Sequence, residues 1–304
     1  MTYFRFKTFT TSYFFPKLNT NQQYMYGLYS AYGGKLSKLY WSWFKKYSIV
    51  RALTAVNEDN LPFHYHQIKE ADGTDCLMSF NMGSPGVEQK ISILGYDNQN
   101  HTPFFAKFSQ NPIAKKLTIN EIDIYKTLKS TQLTPKLLDY KINENYVYLK
   151  AEYIKGERPK SKKVTSEILT LCLKLKNYHL TTKKNNENGL LLALSHGDFC
   201  PWNILMYKNQ MKLIDWELAK DRPLGFDLFT YICQVSLLFN PECELLQVID
   251  EHNILIEQYF TTCGVKDYLP YLKSFATEKA NYEKNKGNSK AFAEFNLQMQ
   301  QNSD

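Results

Sequence analysis

The sequence has no Cys-x-x-C pair, no Gly-x-Gly-x-x-Gly and no apolar run near membrane-spanning length. Its six cysteines (Cys76, Cys172, Cys200, Cys233, Cys243, Cys263) are scattered, without the Cys/His spacing of a zinc site, and the pattern fits a reducing compartment rather than a disulfide framework. The longest apolar-rich stretch, Leu228 to Phe239, is interrupted by Thr230, Gln234 and Ser236 and falls short of the ~18 residues that cross a bilayer, so it reads as a buried helix. The opening Met1-Thr-Tyr-Phe-Arg-Phe-Lys lacks the unbroken apolar core and cleavage site of a signal peptide. No period of ~20–50 residues is visible, which argues against solenoids and propellers. With 43% hydrophobic and 22% charged residues, wholesale disorder is also set aside.

What the 304 residues do hold is an uneven distribution of charge and aromatic rings. Lys and Arg number 37 against 30 Asp and Glu, and the net +7 suits an anionic ligand without demanding a nucleic acid, for which no binding motif is present. Eight basic residues (Arg5, Lys7, Lys17, Lys35, Lys38, Lys45, Lys46, Arg51) stand against Glu58 and Asp59 in the first 60 positions, so this segment carries nearly all the net charge. Leu36, Leu39, Tyr40, Trp43, Phe44 and Tyr47 recur there at helical spacing, which predicts one helix with these residues on one face. Such a helix either packs on the following domain as an extra layer or rests on an anionic membrane surface.

From Leu77 to Tyr153 the pattern changes to short extended runs, at 77–80, 90–94, 104–108 and 146–152, interrupted by a helix over 119–128. After Lys155-Gly156-Glu157-Arg158-Pro159 helical periods take over, at 166–180, 226–239, 245–260 and 268–282, and Lys284 to Asp304 reads as a polar, loosely held end. The expected organisation is α+β: a basic aromatic extension (1–70), a strand-rich domain (71–155) and a helical domain (156–304).

Chemistry concentrates in His196-Gly197-Asp198-Phe199-Cys200-Pro201-Trp202-Asn203, followed by Ile214-Asp215-Trp216-Glu217. An Asp, an Asn five positions on and a second Asp after a hairpin are what phosphoryl transfer from a metal nucleotide needs. The first orients or deprotonates a hydroxyl, and the other two offer hard oxygen ligands to Mg²⁺. The apolar runs 204–206 and 211–214 flank a turn, which puts Asn203 and Asp215 at the same end of two paired strands. Upstream, Lys107 in Phe104-Phe105-Ala106-Lys107-Phe108 and Glu121, fourteen residues later, suit a strand lysine held by a helix carboxylate.

His-Gly-Asp-x4-Asn followed by Ile-Asp-Trp-Glu resembles the aminoglycoside phosphotransferase / choline kinase group of the kinase-like superfamily, over about Leu77 to Phe239. The resemblance implies a bilobal protein-kinase-like fold, with a strand-rich N-lobe and a helical C-lobe, that uses ATP or GTP and Mg²⁺. It implies Asp198 as catalytic base, Asn203 and Asp215 as metal ligands, and His196 as a brace. Lys107 and Glu121 would hold the nucleotide, with Gly83, Ser84 and Gly86 of Asn81-Met82-Gly83-Ser84-Pro85-Gly86-Val87 at its phosphates, although a plain hairpin turn explains that loop equally well. Leu149 to Gly156 resembles the interlobe linker, where the backbone of Glu152 and Ile154 would meet the adenine, and Asp227 is expected to brace the catalytic loop.

Only eleven residues separate Asp215 from Asp227 and no Ala-Pro-Glu follows, which leaves little room for the peptide platform of a protein kinase. The expected function is therefore phosphorylation of a hydroxyl of a small molecule or saccharide, in cell-envelope polysaccharide synthesis. The alternative is a non-catalytic kinase-like nucleotide-binding module. The expected location is cytoplasmic, with peripheral contact at the inner membrane surface through the N-terminal segment.

Overall fold

The computed structural model describes residues 1–29, 35–159, 163–208, 210–284 and 288–301. The chain divides into two compact units, Met1–Ile154 and Lys155–Asp304. The first is strand-rich and the second mainly helical, which is the α+β, two-part architecture that the sequence leads one to expect.

The N-terminal unit contains β1 (Thr2–Lys7), β2 (Ser12–Pro16), α1 (Lys35–Lys46), α2 (Ser48–Ala52), β3 (Ala55–Asn57), α3 (Tyr65–Asp72), β4 (Cys76–Asn81), β5 (Ile91–Asp97), β6 (Thr102–Ser109), α4 (Pro112–Thr127), β7 (Leu137–Ile142) and β8 (Val147–Glu152). Its eight strands form one antiparallel sheet in the order β3-β1-β2-β4-β5-β6-β8-β7. Residues before position 70 thus supply three strands of this sheet. The period of two along each strand explains how one sheet serves two cores. On one face Tyr3, Phe14, Met78, Phe80, Ile93, Ala106, Phe108 and Tyr148 pack with Tyr65, Ile68 and Ala71 of α3. On the other, Phe6, Tyr13 and Phe15 pack with Trp41 and Phe44 of α1, and Met25 packs with Leu77 and Leu94. Each buried ring of this size contributes about 1.5–3 kcal/mol through the water it sheds.

This packing corrects the expected face of α1. Among its described side chains Trp41 and Phe44 are buried, whereas Leu39, Tyr40 and Trp43, and Tyr47 just after the helix, are exposed; the side chain of Leu36 lies outside the described residues. Aromatic residues lie on two sides of the helix, so periodicity alone does not choose the side that meets Phe6 and Phe15. The helix expected over 119–128 begins earlier, at Pro112, whose fixed φ suits the first turn of α4.

A buried ion pair links α3 to the sheet. Lys150 Nζ lies 2.8 Å from Asp72 Oδ1, which also accepts from Tyr148 OH at 2.6 Å, while Thr74 and Cys76 donate to the other carboxylate oxygen. Burial by itself pushes the Asp72 carboxyl up, but the hydrogen bonds from Lys150, Thr74, Tyr148 and Cys76 outweigh it and hold the group below its ordinary value.

The C-terminal unit holds α5 (Ser166–Leu175), β9 (Leu192–Ser195), β10 (Ile204–Tyr207), β11 (Gln210–Leu213), β12 (Lys220–Pro223), α6 (Phe226–Phe239), α7 (Leu245–Glu251), α8 (Asn253–Thr262), α9 (Leu269–Glu283) and α10 (Ser289–Gln301). Two antiparallel pairs, β10–β11 and β9–β12, support the loop between β9 and β10. The stretch read as a buried helix is α6, with residues buried on every side from Phe226 to Leu237. The single helix expected over 245–260 is broken at His252, whose Nδ1 donates to Val248 O at 2.8 Å. The expected loose end is corrected too. Residues 289–301 form α10, which buries Phe292, Phe295 and Met299 and sets its two rings against Phe275 of α9, while 285–287 and 302–304 lie outside the described residues. A stripe at i, i+3 and i+7 is enough to bury one side of a helix whose other side is polar.

Two predictions follow from the N-terminal unit. Phe44→Ala should destabilise it by ~3–5 kcal/mol in chemical denaturation, whereas Trp43→Ala should stay within about 0.5 kcal/mol. Equal losses would show that α1 buries a different face. Because the folded carboxyl of Asp72 titrates below its unfolded value, its contribution is present above the unfolded value, near pH 4, and is lost as the pH falls through the folded one. Asp72→Asn should therefore cost ~3–5 kcal/mol at pH 7 by leaving Lys150 unpaired and should flatten the decline of stability below about pH 4. An unchanged acid limb in the variant would assign that decline to other groups.

Candidate active site

In the N-terminal unit, Ala106 and Phe108 face the α3 side of the sheet, so the period of two puts Lys107 on the opposite side of β6. Lys107 Nζ lies 2.5 Å from Glu121 Oε2 of α4, and both side chains are buried. Tyr125, one turn along α4, donates its OH to Glu121 Oε1 at 3.0 Å. The expected pairing of Lys107 with Glu121 is therefore present, and Tyr125 completes it.

The loop between β4 and β5 carries Gly83, Ser84 and Gly86. Gly83 has φ +67, and a Cβ there would stand 2.5 Å from Lys90 O, so both its backbone and the space around it call for glycine. Its N–H donates to Asn81 Oδ1 at 3.0 Å, and Gln89 donates from its side chain to Met82 O and from its backbone to Gly86 O. Ser84 and Gly86 are exposed. Glu152 ends β8, and its N–H donates to Lys136 O at 2.8 Å. Ile154, buried, is the last residue of the unit.

In the C-terminal unit the loop after β9 is organised by Asp227, at the first turn of α6. Asp227 Oδ1 accepts from Ser195 Oγ at 2.8 Å and from Gly197 N at 3.1 Å, and Oδ2 accepts from His196 N at 2.8 Å. Gly197 has φ +86, and a Cβ there would meet Leu218 O at 2.5 Å. The His196 ring spans two segments. Nε2 lies 2.9 Å from Ile214 O, to which it donates, while Nδ1 accepts from Asp198 N at 3.4 Å.

Asp198 and Asn203 are joined directly: Asn203 Nδ2 donates to Asp198 O at 2.9 Å and to Asp198 Oδ2 at 2.8 Å. Cys200 Sγ, 3.6 Å from Asp198 Oδ1, adds a thiol donor, and burial together with the nearby Asp198 charge pushes its thiol well up, which keeps the proton on sulfur. Ile214 N donates to Asn203 O at 3.0 Å, closing the hairpin end that carries Asp215. Asp215 itself is left-handed, with φ +68 and ψ +55, a conformation that costs a non-glycine residue about 1–3 kcal/mol and is concentrated at functional sites.

The structure thus joins Asp198 to Asn203 and places Asp215 one residue beyond the bond that closes the hairpin. It also supplies contacts that sequence reasoning missed. Ser195, the donor that fixes Asp227, carries no motif signal, and nothing in the sequence shows that the Cys200 thiol turns to Asp198. A separate cavity of about 1060 Å³ within this unit is lined by, among others, Tyr231, Phe239, Glu242, Glu244, Glu251 and His252.

Comparisons with known proteins are of three kinds. The model of the phosphotransferase enzyme family APH matches residues 183–248. No curated protein matches the sequence. Among solved structures, an amicoumacin kinase, hAmiN, in complex with AMP-PNP, Ca²⁺ and Ami is similar with 9% identity and a TM-score of 0.47, over 70% of this chain and 86% of that one. An aminoglycoside-3'-phosphotransferase of type VIII is similar with 14% identity and a TM-score of 0.36, over 48% and 73%. Across residues 183–248, the segment that holds His196, Asp198, Asn203, Asp215 and Asp227, the chain is similar to the phosphotransferase enzyme family APH, in line with the resemblance its motifs carry.

Proposed function

We propose that the protein is a small-molecule phosphotransferase that moves the terminal phosphoryl group of ATP or GTP to an acceptor hydroxyl with Mg²⁺. The observation that carries this reading is the pair of hydrogen bonds from Asn203 Nδ2 to Asp198, inside the segment matched by the phosphotransferase family. With its NH₂ spent on Asp198, the Asn203 amide presents Oδ1 as its other polar atom, an oxygen of the kind Mg²⁺ prefers. Asp215 adds a carboxylate, so the donor set fits a hard divalent ion. Bound by Asn203 and Asp215, the ion would offset charge on the phosphate oxygens.

The remaining roles are assigned on the same reading. Asp198 accepts the proton of the attacking hydroxyl. Its own geometry is fixed from two sides, by Asn203 at Oδ2 and by Cys200 at Oδ1. His196 and Asp227 hold the loop. Lys107, held by Glu121, engages the nucleotide phosphates, and Ser84 and Gly86 add loop contacts, the Gly83 N–H being already engaged by Asn81. The backbone of Glu152 and Ile154 receives the adenine.

For the acceptor we propose a saccharide hydroxyl in cell-envelope polysaccharide synthesis, reached from the cytoplasmic side with peripheral membrane contact. The short interval between Asp215 and Asp227 supports a small acceptor over a peptide.

Thermal unfolding of wild type and Asp215→Ala with and without Mg²⁺-ATP tests the nucleotide site. At ~100 times its dissociation constant the nucleotide should add about 2.7 kcal/mol of apparent stability, only with Mg²⁺ and not in the variant. Asp198→Asn should keep that shift and lose phosphate transfer to a saccharide panel by ~10²–10⁴-fold. A wild-type shift with no transfer to any hydroxyl would favour the nucleotide-binding module, and no shift would overturn both.

A further inference from the structure

Trp41 and Phe44 turn one side of α1 onto Phe6 and Phe15, and the opposite side is left to solvent. Leu39 and Trp43 stand there one turn apart, 47% and 49% exposed. Tyr47, whose N–H donates to Trp43 O at 2.9 Å, continues the stripe, and Ile49 and Leu53 follow it in and just after α2 at 72% and 84% exposed. This apolar surface is held in place. The Arg51 guanidinium donates to Phe44 O and Lys45 O, in the last turn of α1, and so ties α2 back onto it.

The charged residues of α1 carry one sign. Lys38, Lys45 and Lys46 are exposed, with Lys46 Nζ 5.3 Å from the Tyr47 ring and Lys45 Nζ 5.5 Å from the Trp41 ring. No Asp or Glu precedes Glu58 in the sequence. A hollow of about 540 Å³ opens beside the helix, lined chiefly by Tyr24, Tyr26, Tyr29, Trp41, Lys45 and Lys46. A protein partner would need carboxylates to match this ring of lysines and apolar groups to match the stripe. An anionic bilayer presents both at once, phosphates above acyl chains.

We propose that this surface docks the N-terminal unit on an anionic phospholipid bilayer. Leu39, Trp43 and Tyr47 enter the boundary between headgroups and chains, as amphipathic rings do at that depth, and Lys45 and Lys46 take lipid phosphates at the mouth of the hollow. Trp41 and Phe44, though aromatic, stay in the core. The assignment deepens the peripheral contact proposed above. It rests on the surface of one unit and not on phosphoryl transfer, so the two fail separately.

Flotation of the full chain with vesicles tests it. Wild type should float with vesicles of phosphatidylglycerol and phosphatidylcholine, far less with phosphatidylcholine alone, and less at high salt. Lys45→Glu/Lys46→Glu and Leu39→Ser/Trp43→Ser should each lower the bound fraction by about tenfold or more while thermal unfolding stays at the wild-type value. Brominated lipid should quench Trp43, the exposed tryptophan, and Trp43→Phe should remove that quenching. Absence of flotation, equal flotation on neutral vesicles, or variants that bind like wild type would each overturn the proposal. Loss of nucleotide binding with flotation intact would leave it standing and overturn only the catalytic reading.

Discussion

The buried carboxylate of Asp227 is the point to which the loop after β9 is tied. Ser195 Oγ, His196 N and Gly197 N all donate to Asp227, and Gly197 N is shared with Ser195 Oγ. A carboxylate removed from water must be met by donors of this kind, and backbone N–H groups in a tight turn must find acceptors, so the two needs satisfy one another. Because α6 is buried on nearly every side, the carboxylate does not move unless the core of the unit moves. Loop geometry is therefore set by core packing, and His196 carries the constraint onward to Ile214, one residue before Asp215.

Among its described residues the N-terminal unit holds two buried lysine–carboxylate pairs, and the sheet distinguishes them. Lys150 with Asp72 lies on the face that α3 covers, surrounded by Tyr148, Thr74 and Cys76, with its ammonium 4.1 Å from the Phe104 ring. Lys107 with Glu121 lies on the other face of the same sheet. Burying an ion pair costs desolvation that its own attraction barely repays, so neither pair is explained by stability alone. The first joins a helix to a strand. The second joins another helix to a strand and fixes a cation on the face that α3 leaves alone.

The sequence was most legible where chemistry is local. Asp198, Asn203 and Asp215 sit within eighteen positions, and the hairpin that unites them has its own turn and apolar runs. Lys107 and Glu121 were legible by order and by residue type. What stayed hidden were elements whose signal depends on partners far away. β2, Ser12–Pro16, does not alternate because both of its faces are covered, and β7, Leu137–Ile142, is an edge strand exposed along most of its length. α10 looked polar because most of its residues are, although Phe292, Phe295 and Met299 suffice to bind it to α9. Ser195 had no pattern at all, since its role exists only once Asp227 arrives from thirty-two residues downstream.

The first helix shows the limit of periodicity most clearly. Between Leu39 and Tyr47 apolar and aromatic residues fall on two sides of the helix, and a 3.6-residue period finds a face without saying whether the core or the solvent receives it. That choice is made by β1 and β2, whose Phe6, Tyr13 and Phe15 form a floor that accepts Trp41 and Phe44. A helix that needed only to cover this floor could end its apolar character there and turn polar outward. This one keeps Leu39, Trp43 and Tyr47 on the outside, where each exposes carbon to water, among lysines that keep the surface soluble while it is uncovered.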